Sequence, residues 1–195
     1  LNNAGHNTGI SIPGTDISFD WGGLFYYPFI VIMMMAVTNA VNFTDGVDGL
    51  LSGVSAIALA AFAVVAMQAT SIAAGVCAAA MIGAVLGFLV FNAHPAKVFM
   101  GDFGSFGIGG AIGAIAIVTK SELLFVVIGG VFVIEMLSVV LQVASFKTRG
   151  KRIFRMSPIH HHFELGGWSE WRVVTTFWAV SLVLAAVGLI LSKGL

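Results

Sequence analysis

Six apolar stretches dominate this chain, and between them they hold a single charged residue, Glu135. They run roughly over 23–39, 50–68, 72–91, 106–119, 123–146 and 173–191. An uncharged apolar run of about 18 residues or more reads as a helix that crosses a bilayer, because a helix satisfies its own backbone polar groups where no water can. Composition agrees: hydrophobic residues make up 58% of the 195 and charged residues only 9%, more apolar surface than a soluble domain of this size can hide. The expected fold is therefore all-α: a polytopic integral membrane helix bundle, one membrane domain over 1–195. The fourth stretch is short and rich in glycine and is expected to pack closely or to be extended by its flanks. The chain opens at Leu1 in a polar, glycine-rich run without a signal peptide, and reads as the later part of a longer protein.

The breaks between the stretches differ in kind. Those at 68–71 and 119–122 are tight; those at 42–49, 92–105 and 147–171 are long and polar. If every stretch spans, the three long loops share one side. Lys97, Lys147, Arg149, Lys151, Arg152, Arg155 and Arg172 fall on that side, against Lys120 and Lys193 on the other. Positive residues favour the cytoplasmic side, so seven against two places the long loops there. Residues 2–20 are then outside, where Ile10, Ile12, Ile17 and Phe19 alternate around Pro13-Gly14 and predict a short extracytoplasmic hairpin; His6 reads as a surface residue. Net charge is zero, so bulk charge points to no partner; the lipid bilayer is the expected surrounding, and no nucleic acid is expected.

The chemistry collects in the three cytoplasmic loops. The first, Asn39-Ala40-Val41-Asn42-Phe43-Thr44-Asp45-Gly46-Val47-Asp48-Gly49, carries two carboxylates three residues apart, each followed by glycine. On a helical turn Asp45 and Asp48 share a face; as plain helix caps they would instead accept backbone N–H groups. Their spacing lacks the fuller calcium-loop pattern. The second, Asn92-Ala93-His94-Pro95-Ala96-Lys97-Val98-Phe99-Met100-Gly101-Asp102, sets one aspartate behind a glycine with a lysine five residues earlier. Mg²⁺ is held by one or two carboxylates plus substrate phosphates and water, an economy Asp102 fits. A turn carboxylate bonded to its own backbone is the bland alternative, but an aspartate at a membrane boundary is costly unless it is solvated or paired. The third, Pro158-Ile159-His160-His161-His162-Phe163-Glu164, follows a run of cations. Imidazoles pass protons or contact phosphate near neutral pH, and adjacent histidines lack the i, i+4 spacing of a helical zinc site. Carboxylates, amides, imidazoles and an aromatic, Phe99, that could stack on a nucleotide ring suit metal-assisted transfer of a phosphate group. No P-loop is present.

These three motifs, in this order and on one predicted face, resemble the phospho-N-acetylmuramoyl-pentapeptide transferase family over about Asn39 to Trp178. The resemblance implies transfer of phospho-MurNAc-pentapeptide from UDP-MurNAc-pentapeptide to undecaprenyl phosphate, giving lipid I and UMP, with Mg²⁺ required. It implies a multi-pass protein of the bacterial cytoplasmic membrane, commonly a homodimer of ten-span chains, of which this chain would hold the last six spans. By the same resemblance Asp102 is the metal-binding aspartate; Asn42, Asp45, Asp48, Asn92, Lys97 and Phe99 bind substrate, with Phe99 beneath the uracil; and His160, His161 and His162 form the catalytic histidine motif near the phosphates. The family's adjacent aspartate pair has no counterpart here, and Phe103 replaces a threonine frequent in relatives. The lipid phosphate could attack directly, or a protein carboxylate could first form a covalent intermediate.

The remaining features read as structural. Gly109, Gly110 and Gly113 permit close helix contact. Cys77 reads as a small packing residue, and Trp168, Trp171 and Trp178 as an interfacial belt. Glu135, alone within a span, is a functional candidate or a helix-to-helix contact. Two rival functions remain: a transporter or channel, disfavoured because the titratable groups sit in loops on one side, and a sugar-1-phosphate transferase using a different UDP-sugar.

Overall fold

The computed structural model describes residues 8–15 and 17–194; His6 lies outside the described residues. A two-stranded antiparallel hairpin, β1 (Gly9–Ser11) and β2 (Ser18–Asp20), pairs Ile10 with Phe19. It precedes α1 (Gly22–Phe43), α2 (Leu50–Gln68), α3 (Ile72–Asn92), α4 (Gly101–Val118), α5 (Phe125–Ile128), α6 (Gly130–Arg149), α7 (Ile159–Glu164) and α8 (Glu170–Leu191), with a 3₁₀ turn at Ser192–Gly194. Six of the helices, α1 to α4, α6 and α8, are long and apolar enough to cross a membrane.

The bundle is organised around α2. Its most apolar window is 72% buried, against 17% for α3, so α2 is the central helix and α3 turns most of its surface outward. α2 packs on α3 and α8, while α1 packs on α4 and α6. Leu50, Leu51, Leu59 and Phe62 of α2 are fully buried with Phe132 of α6 and Ile112 of α4. Glycines let these axes approach. A Cβ at Gly109 would stand 2.8 Å from the Thr38 backbone of α1, and one at Gly113 would strike Met34. Gly110, expected to join them, meets nothing within 4 Å, because it sits off the i, i+4 face that Gly109 and Gly113 share. Cys77, expected as a packing residue, is exposed on α3.

Two departures from the sequence-based expectation are the largest. The fourth helix starts at Gly101, not near 106, so Asp102 lies in its first turn. The stretch expected as one helix over 123–146 breaks at Gly129 into α5 and α6; the Phe125 ring crowds Gly129, leaving no room for a Cβ. Trp178, expected in an interfacial belt, lies across Gly53 of α2, where any Cβ would overlap its indole. Trp168 stacks near Phe163, with the Arg172 guanidinium 4.2 Å from its ring centre.

The two ends of the bundle are tied differently. At the hairpin end Gly14 N–H donates to the Leu191 carbonyl, and the Tyr26 hydroxyl donates to buried Glu122 while accepting from Lys120. At the other end the long loops meet.

Candidate active site

The turn 44–49 and the segment 92–102 enclose a cleft of about 280 Å³, lined by Asp45, Gly46, Val47, Asp48, Asn92, Phe99, Gly101 and Asp102. Each acidic side chain is placed by a different element. Asp102 projects from the first turn of α4, where free backbone N–H groups favour acidic residues. The Asn42 amide, from the last turn of α1, donates to Asp102 Oδ1 at 3.0 Å and to Ser105 Oγ at 2.9 Å. Ser105 in turn donates to the Gly101 and Asp102 carbonyls. Asn42 thus orients the aspartate. Asp45 lies close enough to Asp102 for the charges to interact. Burial pushes the Asp45 carboxyl up from its ordinary range; a hydrogen bond from the Gly101 backbone opposes this, and Asp102 adds to it.

Asp48 and Asn92 line the cleft but also hold it together. Asp48 Oδ2 accepts the Ala96 N–H at 2.9 Å and lies 3.3 Å from His94 Nδ1. The same nitrogen is 3.0 Å from Glu170 Oε2 at the start of α8, and Glu170 Oε1 accepts the Asp48 N–H at 3.0 Å. These three side chains place donor atoms within 4.8 Å of one another, a spacing a cation could use. Each carboxylate already accepts a backbone N–H, however, and the imidazole lies between them, so the group works as a clasp joining two loops to α8. Asn92 is buried and its amide is committed to the chain: Oδ1 accepts from Gly49 N–H and Ser52 Oγ, and Nδ2 donates to the Val98 carbonyl. Phe99 stands at the rim, 75% exposed, with most of its ring open to solvent. Lys97, expected at the phosphates, is exposed and does not line this cleft. Phe103 is fully exposed.

The histidine motif forms α7 and stands behind the acidic turn rather than in the cleft. His160, expected to act on substrate, is 1% exposed; its Nδ1 lies 3.1 Å from Oε1 of Glu135, itself fully buried. That separation suits a charge pair, yet the angles allow no directed hydrogen bond, and both imidazole nitrogens and both carboxylate oxygens lack one. The other edge of the ring abuts Gly46, where a Cβ would stand 2.3 Å from Nε2. His161 pairs with Glu164 at 2.6 Å, and His162 Nδ1 accepts the Arg155 N–H at 3.1 Å. Two of the three imidazoles are thus half-buried and bound locally, and none lines the cleft.

The segment 150–158 runs back along α6. Gln142 accepts the Ile153 and Phe154 N–H groups and donates to the Phe154 carbonyl. Between this segment and α6 lies a groove of about 380 Å³ whose walls include Val143, Phe146 and Met156 with Lys147 and Arg152. Sequence reasoning missed Ser105, His94 and Glu170 as site residues. Ser105 was within reach, three residues after Asp102 and so on the same helical face; Glu170 carried no signal beyond its place in a first turn.

Comparison with known proteins bears on this geometry. The sequence profile of the family described as Glycosyl transferase family 4 matches residues 4–120, which hold both walls of the cleft. A protein of Halalkalibacterium halodurans named phospho-N-acetylmuramoyl-pentapeptide-transferase is 59% identical over 98% of this chain and 58% of its own length. A Bacillus subtilis protein of the same name is 63% identical over 93% of this chain and 56% of its own. One of Oceanobacillus iheyensis is 58% identical over the whole chain and 60% of its own. The chain thus spans somewhat under two thirds of the length of these curated relatives.

Proposed function

The chain belongs to glycosyl transferase family 4, and from that premise we propose that it serves an enzyme moving phospho-MurNAc-pentapeptide from UDP-MurNAc-pentapeptide to undecaprenyl phosphate. The products are lipid I and UMP, and the site faces the cytoplasm of a bacterium. The observation that carries this reading is the gathering of Asp45, Asp48 and Asp102 with Phe99 around one small cleft at the loop end of an apolar bundle. The names of the relatives support the substrate, and the bias of seven cations to two supports the orientation.

The donor set fits Mg²⁺. It offers hard carboxylate oxygens, and burial first, with the nearby Asp102 as a lesser cause, disfavours the ionised form of Asp45, a bias that a bound cation would offset. Asp102 and Asp45 would hold the ion, which when bound screens the charge on a diphosphate and on departing UMP. The remaining work is positioning, as phosphoryl transfer asks of a protein. Asn42 and Ser105 fix the Asp102 carboxylate, the His94 clasp fixes Asp48, and Phe99 offers its face to the uracil. The groove beside α6 has an apolar floor for a polyprenyl chain, with Lys147 and Arg152 for its phosphate. A homodimer is part of this reading.

The test is UMP release by the full-length protein in undecaprenyl-phosphate vesicles, comparing UDP-MurNAc-pentapeptide with UDP-GlcNAc as donors. Turnover with the first and none with the second is expected; the reverse preference replaces the proposed donor with a different UDP-sugar.

A further inference from the structure

The proposed reaction leaves one buried pair unused. Glu135 and His160 stand 3.1 Å apart, 0% and 1% exposed, and their four polar atoms make no directed hydrogen bond. Burying such atoms unsatisfied is costly, and a carboxylate in the second turn of a spanning helix with no other charge in its apolar part needs a reason. The geometry supplies one. The His160 ring is wedged between Glu135 on α6 and the backbone of Gly46, so close that a single methyl group at 46 would overlap Nε2 and Cε1. Gly46 follows Asp45, and Asp45 faces Asp102 across the cleft. Side chains packed to this density transmit displacement instead of absorbing it.

We infer that Glu135 and His160 are positioning residues: a buried pair that acts through Gly46 to set the height of the Asp45 turn against Asp102, and that does not touch substrate. The Glu135 carboxyl holds the imidazole in place, the imidazole supports the turn, and the turn fixes one wall of the metal cleft. Glycine at 46 is the only residue that lets the ring come this close. The inference rests on the proposed reading of the cleft as a divalent-metal site.

Mn²⁺ binding tests it without turnover. The full-length protein in detergent is titrated with Mn²⁺ and followed by electron paramagnetic resonance, for wild type, Asp102→Asn, Glu135→Gln and Gly46→Ala. Loss of binding in Asp102→Asn places the ion in the cleft. Glu135→Gln and Gly46→Ala then weaken Mn²⁺ by about 10-fold, the range seen when groups behind metal ligands are removed, and reduce kcat more than KM. A substitution that merely unfolds part of the sample lowers the number of sites and leaves the affinity of the rest unchanged, so affinity separates positioning from damage. Gly46→Ala leaves both members of the pair intact and decides the matter if Glu135→Gln does not fold. Wild-type Mn²⁺ affinity in both variants, beside its loss in Asp102→Asn, overturns the inference and leaves the cleft reading standing. Undiminished binding in Asp102→Asn sinks the cleft reading and the inference with it.

Discussion

Two histidine–carboxylate contacts support the same acidic turn, and they are built on different physics. His94 stands 36% exposed between Asp48 and Glu170, and both carboxylates also accept backbone N–H groups. His160 is buried against Glu135 and Gly46, with no aligned hydrogen bond to offset its desolvation. The first contact is redundant, since removing its imidazole leaves each carboxylate bonded. The second has no such reserve. Exposed pairs contribute about 0–1 kcal/mol, whereas breaking a buried pair by deleting one partner costs about 3–5 kcal/mol. A turn that must hold two acids in register is thus tied by one half-buried contact and one fully buried contact.

The largest expected difference is between the two carboxylates. Glu135→Ala lowers unfolding stability in detergent by about 3–5 kcal/mol, while Glu170→Ala costs about 1 kcal/mol or less; equal losses in a thermal melt would erase the distinction. Next in size is Gly46→Ala, which forces a methyl group into the His160 ring and costs about 1–3 kcal/mol. Pairing it with His160→Ala should recover part of that loss, and a strictly additive double mutant would mean that ring and turn are not in contact. His94→Gln should change stability by about 1 kcal/mol at most, with a difference that shrinks as salt is raised; insensitivity to salt would show that the clasp does not act through charge.

The smallest effect is titrimetric. The folded Asp45 carboxyl sits above its ordinary value because of burial first and Asp102 second. A carboxyl raised on folding contributes stability that is complete below the ordinary aspartate range and is lost as pH rises through the raised value. Asp45→Asn should therefore be more stable than wild type at neutral pH, and that advantage should vanish as pH falls through the carboxylate range. Mg²⁺ should cancel it at neutral pH by favouring the ionised wild-type residue; an advantage that grew in acid would reverse the assignment.

Sequence alone located six apolar segments because each is uncharged, Glu135 excepted, and all but the short fourth run for about the length of a span. It lost the start of α4, where Gly101-Asp102-Phe103-Gly104-Ser105 reads as a polar turn although Gly101, at φ +66°, starts the helix there. It also lost the break at Gly129, which depends on where the Phe125 ring falls. At the cleft, the residue types of 42–48 and 92–102 were legible as carboxylates and amides at helix ends. What the sequence did not carry was division of labour. Asn92 and Asp48 bond other parts of the protein while lining the cleft, Asn42 bonds Asp102 from beside it, and the triple histidine lies in a short helix outside the cleft lining. Those distinctions arise from contacts between segments far apart in the chain, and periodicity within one segment says nothing of which neighbour its face will meet.

The measurement that tests the account most directly is UMP release from UDP-MurNAc-pentapeptide by full-length Asp102→Asn, assayed with undecaprenyl phosphate and Mg²⁺ beside wild type. Loss of several kcal/mol of transition-state stabilisation, on the order of a hundredfold or more in rate, is the predicted result. Near-wild-type release of UMP would take the chemistry out of this cleft.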